Sequence, residues 1–460
     1  MEPLYDLATY TGAVYPNDTV IVWSVMIVIY PYITGLVAGA FTVSSLYHVF
    51  GMERFKPVAQ FALVTALCFM LFVPVPLLLH LGQPQRAFNA VLTPHWTSAM
   101  AAFGYFAGFY LILLTLEIWI IYRPHFVRQA QRTTGLARTL WHGLSLGSND
   151  LSEKAMRYDH KWMFALAVTG IPGAHGLHGY VGFIFGSLKS REWWSSDLMP
   201  VVFLFSAVIS GVALLIVLYV VSCWLRKVKI DLACMKGLAY VLWGFMMFTL
   251  VLEGLEFSNI VYKAREGIEV IMEYVMGPLV VPFFVIQFGI GAVTPIAIVT
   301  YMIWRGTTGR ALITGVTVSA ALVLLSVLMM RWNVVIGGQE ISKTGQGLLN
   351  YQMQIWGREG LLASIAVVAA PLILLAGLVR LLPPWGDNAT PSVHGGTALR
   401  EFAGGDGATD MEAQKQPGPV LPEVRRFPGR GLFTAVPSGF GSCCGAGGQT
   451  FQPNTRWGKS

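Results

Sequence analysis

Long apolar runs separated by short polar connectors occupy the chain from residue 20 to residue 382, and beyond that point the pattern stops. A helix needs about 20 mostly apolar residues to cross a hydrocarbon core about 30 Å thick. By that measure nine runs span, near residues 20–47, 57–81, 96–122, 162–185, 198–224, 233–257, 279–304, 312–331 and 361–382. The pattern predicts an all-α polytopic membrane protein with about nine transmembrane helices in a bundle. Its domains would be an extracytoplasmic segment at 1–19, a nine-helix membrane domain at 20–384 and a cytoplasmic tail at 385–460. The tail is rich in glycine and proline with mixed charge and no apolar periodicity, a composition predicted to be disordered.

Composition agrees, with 55% apolar and 12% charged residues, about half the charged share of a soluble protein. The basic residues mark a side. Arg54 and Lys56 follow the first span, and seven residues from Arg123 to Lys161 follow the third. Arg226, Lys227, Lys229 and Lys236 follow the fifth, with Arg305 and Arg310 after the seventh. The alternate connectors are poorer in lysine and arginine, so the basic side is expected to be cytoplasmic, with the N-terminus outside and the C-terminus inside. No basic residue precedes the first span; this is not a signal-peptide n-region, and the first span is expected to be retained. A net charge of +7 scattered over loops does not point to nucleic acid. Five cysteines without C-x-x-C spacing encode neither an iron–sulfur nor a zinc site.

Polar residues inside the spans carry the chemical signal, because an ionisable group in hydrocarbon is a functional candidate by default. The fourth span holds His175 and His178 among glycines at 170, 173, 176, 179 and 182. On the expected topology both histidines lie in the outer half, as do Glu253 and Glu256 of the sixth span. His80 closes the second span there, Arg331 the eighth, and Tyr30 and Tyr32 occupy the outer part of the first. Glu117, His48 and Gln287 are expected in the inner half. Residues at i, i+3 share a helix face, so the histidine pair and the glutamate pair can each address one cavity. The histidines do not form the two stacked pairs of a b-type haem bundle. A di-metal carboxylate site would need Glu-x-x-His, which is absent. A quinone site fits: it needs an apolar slot, donors for two carbonyls, and a group titrating near neutrality, such as imidazole or a desolvated carboxylate. Tyr180, Phe183, Trp193 and Trp194 would line such a slot or form an interfacial belt. Helix packing by the glycines, and solvation of His80, Glu256 and Arg331 at span ends, are the plainer alternatives.

Several segments, in order, resemble the NrfD/polysulfide-reductase membrane-subunit family. They are Tyr32-Ile-Thr-Gly-Leu-Val-Ala-Gly-Ala-Phe41, Leu79-His80-Leu-Gly-Gln-Pro-Gln-Arg86, and His178-Gly-Tyr-Val-Gly-Phe-Ile-Phe-Gly followed by Trp193-Trp-Ser-Ser-Asp-Leu-Met-Pro200. Arg331-Trp-Asn-Val-Val-Ile-Gly-Gly-Gln339 completes the set. Within the family the chain looks most like the DsrP-type subunit of sulfur-metabolism transmembrane complexes. The resemblance implies a haem-free quinone/quinol-reactive subunit, using menaquinone or ubiquinone, in a prokaryotic cytoplasmic membrane. It also implies an extracytoplasmic ferredoxin-like iron–sulfur partner and further redox subunits, and a chain not catalytic alone. His178 and Glu253 are the expected proton-handling residues, with Tyr30, His80, His175, Tyr180, Glu256 and Arg331 around the head group and no metal. His80 stands where the family usually has aspartate, and Gln83 and Gln85 replace its usual arginine and glutamate. Rival expectations are a secondary transporter using the same His/Glu cluster and a purely structural anchor.

Overall fold

The computed structural model describes residues 20–385 apart from 265, 266 and 346, so the expected segments 1–19 and 386–460 lie outside the described residues. The chain enters the bundle through α1 (Val25–His48) and returns through α2 (Lys56–Phe72) and α3 (Pro74–His80). Pro74 has no N–H to continue the ladder, so the second span is one rod broken at Val73. After a short α4 (Asn89–Leu92) come the 34-residue α5 (Ala99–Arg132), the ten-residue α6 (Gly135–Leu144) and the 34-residue α7 (Glu153–Gly186). The remainder is α8 (Met199–Leu225), α9 (Leu232–Lys263), α10 (Ile268–Met276), a π-wound segment (Val280–Val293) leading into α11 (Thr294–Trp304), and α12 (Gly309–Trp332). The last winds into a π turn (Asn333–Gly337) and α13 (Gly338–Glu340), and α14 (Leu361–Leu381) closes the bundle. Among the described residues the only β pairing is one isolated bridge, Ile341 with Leu348.

Eight of these segments are long and apolar enough to cross a membrane. The difference from nine is α7, whose glycines, histidines and charged first turns dilute its hydropathy although its length suffices. At about 1.5 Å per residue, α5 and α7 each run about 51 Å, well beyond a core about 30 Å thick.

The hub is α1, which packs on α2, α7, α8, α12 and α14. In its most apolar stretch 94% of residues are buried, against 22% for α14 at the periphery. Small residues permit this. A Cβ on Gly39 would sit 2.3 Å from the Ala207 carbonyl oxygen, and one on Gly211 would sit 2.4 Å from Gly39 Cα. The backbones of α1 and α8 therefore touch, as small residues allow within a bilayer. Gly170 and Gly182 of α7 make room in the same way for Phe41 and for Pro200. Of the five glycines of α7 that looked like packing residues in the sequence, Gly170, Gly173 and Gly182 pack closely, whereas Gly176 faces open space.

Candidate functional site

The most buried charge in the bundle is on Arg331, in the last turn of α12, with 0% of its surface exposed. Its Nη2 donates to His178 Nε2 at 3.0 Å and to Ser206 Oγ of α8 at 2.6 Å. The guanidinium carbon lies 3.9 Å from the Phe203 ring centroid, a cation–π contact. An arginine can only donate, so His178 Nε2 is the accepting nitrogen and the ring hydrogen sits on Nδ1. That Nδ1 is buried without a partner. The imidazole stacks with Phe203 at 5.7 Å and closely approaches Gly35, where a Cβ would stand 3.2 Å from His178 Cε1.

One turn away lies a second polar chain. Gln287 Nε2 of the π-wound segment donates to Glu253 Oε2 of α9 at 2.8 Å, and Asn333 Nδ2 donates to Gln287 Oε1 at 2.7 Å. Ser326 of α12 donates to the Gln287 carbonyl at 2.9 Å. Gln287 was expected in the inner half; it instead sits beside Glu253, only eight residues past Leu279, where that span enters. Glu253, Gln287, Asn333 and Glu256 border a cavity of about 60 Å³ with aromatic walls from Trp193, Phe257 and Phe283. Arg331 and Asn333, two residues apart at the end of α12, connect the two chains. Both Glu256 carboxyl oxygens and Asn333 Oδ1 are buried with no hydrogen-bond partner. The site thus presents more acceptors than donors. A ligand bearing hydroxyl donors on an apolar ring matches it; leaving such acceptors empty costs about 1–3 kcal/mol each.

The remaining predicted residues are distributed differently. His178 is fully buried and does not line the cavity. His175 is engaged between helices, with Nδ1 bonded to the Ile171 carbonyl at 2.8 Å and Nε2 to Thr42 Oγ1 of α1 at 3.2 Å. Tyr180 donates to the Ala99 carbonyl at 2.9 Å, tying α7 to the start of α5. Tyr30 is buried with an unpartnered hydroxyl and packs edge-on to Phe103. His80 pairs with Glu359 Oε2 at 2.8 Å, in the connector before α14. Glu117 is buried in α5 with one unpartnered oxygen.

Sequence reasoning missed the clamp that holds the cavity's edge. The π turn Asn333–Gly337 frees carbonyls that an α-helix would use internally. Trp193 Nε1 donates to the Asn333 carbonyl at 3.1 Å and Trp194 Nε1 to that of Val334 at 2.5 Å. Arg191, buried beside Trp194, donates to the carbonyls of Gly338 and Ile341 at 2.8 and 3.1 Å. The paired tryptophans were the available signal, since a buried indole N–H needs an acceptor. Glu340 closes the same end, accepting from Tyr274 Oη and from the Tyr351 amide.

A family model described as "Polysulphide reductase, NrfD" matches residues 14–342, which contain every residue of the two polar chains. A selenate reductase subunit of Mesobacillus selenatarsenatis is 32% identical over 392 residues, or 81% of this chain and 88% of that protein. A putative dimethyl sulfoxide reductase membrane subunit of Halobacterium salinarum is 26% identical over 229 residues, 50% of each chain. The Hdr-like menaquinol oxidoreductase integral membrane subunit of Archaeoglobus fulgidus is 25% identical over 237 residues, 51% of each chain.

Proposed function

The chain belongs to the NrfD polysulphide-reductase family, and from that membership we propose that it is the quinone-reactive membrane subunit of a multisubunit oxidoreductase. It exchanges electrons between the membrane quinone pool and an iron–sulfur partner subunit, with sulfur-compound chemistry in a further subunit. Relatives named as subunits of selenate, dimethyl sulfoxide and menaquinol oxidoreductases support this reading. The observation that carries it is the set of buried, donor-less acceptors around an aromatic-walled cavity, Glu256 Oε1 and Oε2 and Asn333 Oδ1.

When bound, a quinone/quinol couple supplies two-electron, two-proton redox chemistry. The chain's own residues have distinct tasks. Asn333 Oδ1 and the carboxylates accept from a head-group hydroxyl, and Phe257, Phe283 and Trp193 exclude water from the ring. Glu253 takes or returns a proton at a carboxylate oxygen, held in place by Gln287 and, through it, by Asn333. Glu256 offers a second proton acceptor one turn on. Arg331, fixed by His178 and Ser206, keeps a positive charge behind the site that balances the carboxylates as they ionise. His178 acts in this reading as the partner that anchors Arg331, and His175, Tyr30 and Tyr180 support the helices that carry the site.

The test is purification of the complex followed by solvent extraction of quinone, together with quinol-driven reduction of the partner's iron–sulfur clusters. Glu253→Gln should abolish that reduction while the complex still assembles. Absence of both quinone and an iron–sulfur partner from intact complex would overturn the reading.

A further inference from the structure

A second cavity, of about 50 Å³, lies far along α9 from Glu253, where α9, α11 and α12 meet at the basic end of the bundle. Its walls are apolar, including Val299, Met302, Leu312 and Val316, and its polar groups are Lys236, Tyr240 and Thr307. The side chains of these three make no hydrogen bond or ion pair to another described residue. Lys236 is half-buried, and an ammonium held against an apolar wall is stable only with an anion or with water at its tip.

Charge around the opening has one sign. The turn 305–310, which lines it through Gly306 and Thr307, holds Arg305 and Arg310 and no acid. The turn that leads into α9, residues 226–231, holds Arg226, stacked on Trp385, Lys227 and Lys229 with a single acid, Asp231. That carboxylate is committed to the helix start, accepting from the amides of Ala233 and Cys234 at 2.7 and 3.1 Å. Beside the opening Tyr240, Tyr301 and Trp304 are 50, 54 and 78% exposed, the placement of aromatic side chains at a membrane interface. Deeper in the bundle the outward face of α9 is apolar through Met247, Phe248 and Val251, all exposed. The basic, interfacial mouth thus lies at one end of a helix whose further exposed residues are apolar.

We propose that this cavity is the head-group end of a binding site for an anionic glycerophospholipid, with Lys236 as the phosphate contact. A free phosphate would satisfy Lys236 but leave the apolar lining without a partner. A zwitterionic lipid would cover the apolar face but bring its own cation beside Lys236 and the Arg305–Arg310 turn. Basic pockets between transmembrane helices bind anionic head groups for the same reason, and each lysine near the surface contributes about 1 kcal/mol, which is about fivefold in affinity.

The full complex, delipidated in neutral detergent, is titrated with phosphatidylglycerol, phosphatidylcholine or inorganic phosphate. Bound lipid is read by native mass spectrometry and stability by Tm. Phosphatidylglycerol should be retained and should raise Tm. Lys236→Gln should weaken retention about fivefold and Lys236→Arg should preserve it. Equal effects of phosphatidylcholine on the wild-type complex, reproduction of the Tm shift by phosphate alone, or unchanged retention in Lys236→Gln would each overturn the site. The wild-type comparison needs no variant, so it decides the matter even if Lys236→Gln does not accumulate.

Discussion

Arg331 and His178 define what one residue contributes here. A charge with no exposed surface must keep all of its partners, because removing one leaves the other buried and unsatisfied. His178→Ala takes the Nε2 acceptor from Arg331, leaving Nη2 with Ser206 alone, and opens space beside Gly35 and Phe203. It is expected to lower stability by about 3 kcal/mol, read as a lower Tm of the detergent-solubilised complex. Glu253→Gln is close to isosteric and keeps a side chain for Gln287 to contact. It should leave Tm near the wild-type value while lowering quinol-linked turnover by about 100-fold or more, the usual range for a lost proton-transfer group. The separation of these two phenotypes follows from position: His178 is sealed behind the site, whereas Glu253 borders the cavity. His178, Glu253 and Arg331 were legible in the sequence as polar residues out of place in apolar spans. Their pairing was not, because depth along a helix says nothing of rotation about it. Ser206 and Gln287 look like ordinary minor polar residues until helix packing brings them to Arg331 and Glu253.

Among the elements, glycine spacing was the clearest written instruction, and two glycines test it. At Gly39 an added Cβ meets the backbone of Ala207 and Gly211 on α8, which cannot swing away. Gly39→Ala should cost at least about 1–3 kcal/mol through overpacking of the α1–α8 crossing. Gly176 faces open space, so Gly176→Ala in α7 should be neutral or stabilising by up to about 1 kcal/mol through helix propensity. Paired Tm measurements check both, and a destabilised Gly176→Ala would argue for a lipid or partner pressed on that face. The π turn after α12 is held by indole donors. Trp194→Phe removes the bond to Val334 and should raise amide exchange at residues 333–337, with little change in α14. Apolar runs predicted the spans well, including 162–185 within α7 despite its diluted hydropathy, but passed over α6. In α6, Leu136, Leu140 and Leu144 recur at helical spacing inside a charged connector. A search for 20-residue runs passes over a ten-residue amphipathic helix.

As a whole molecule the chain is a membrane subunit of the NrfD family, and on the proposed function its redox reaction is completed by other subunits. Its polar site lies in a helix bundle, and the matched family segment ends at residue 342, just past the Trp-clamped end of α12. The expected orientation, with the basic connectors inside, predicts that a cysteine introduced near Lys154 reacts with an impermeant maleimide only in inverted vesicles. Charge alone writes that expectation of sidedness into the sequence, whereas the proposed electron partner and terminal substrate leave no such mark. The central claim is that the Glu253–Gln287–Asn333 cavity handles a quinol. Its most direct measurement is quinol-driven reduction of the iron–sulfur partner in the purified complex, with wild type and Glu253→Gln side by side and extracted quinone quantified in both. The account predicts quinone in the wild-type complex and rapid cluster reduction, with reduction lost in Glu253→Gln despite an intact subunit composition. Wild-type rates in the Glu253→Gln complex, or an intact, active complex from which no quinone can be extracted, would contradict it.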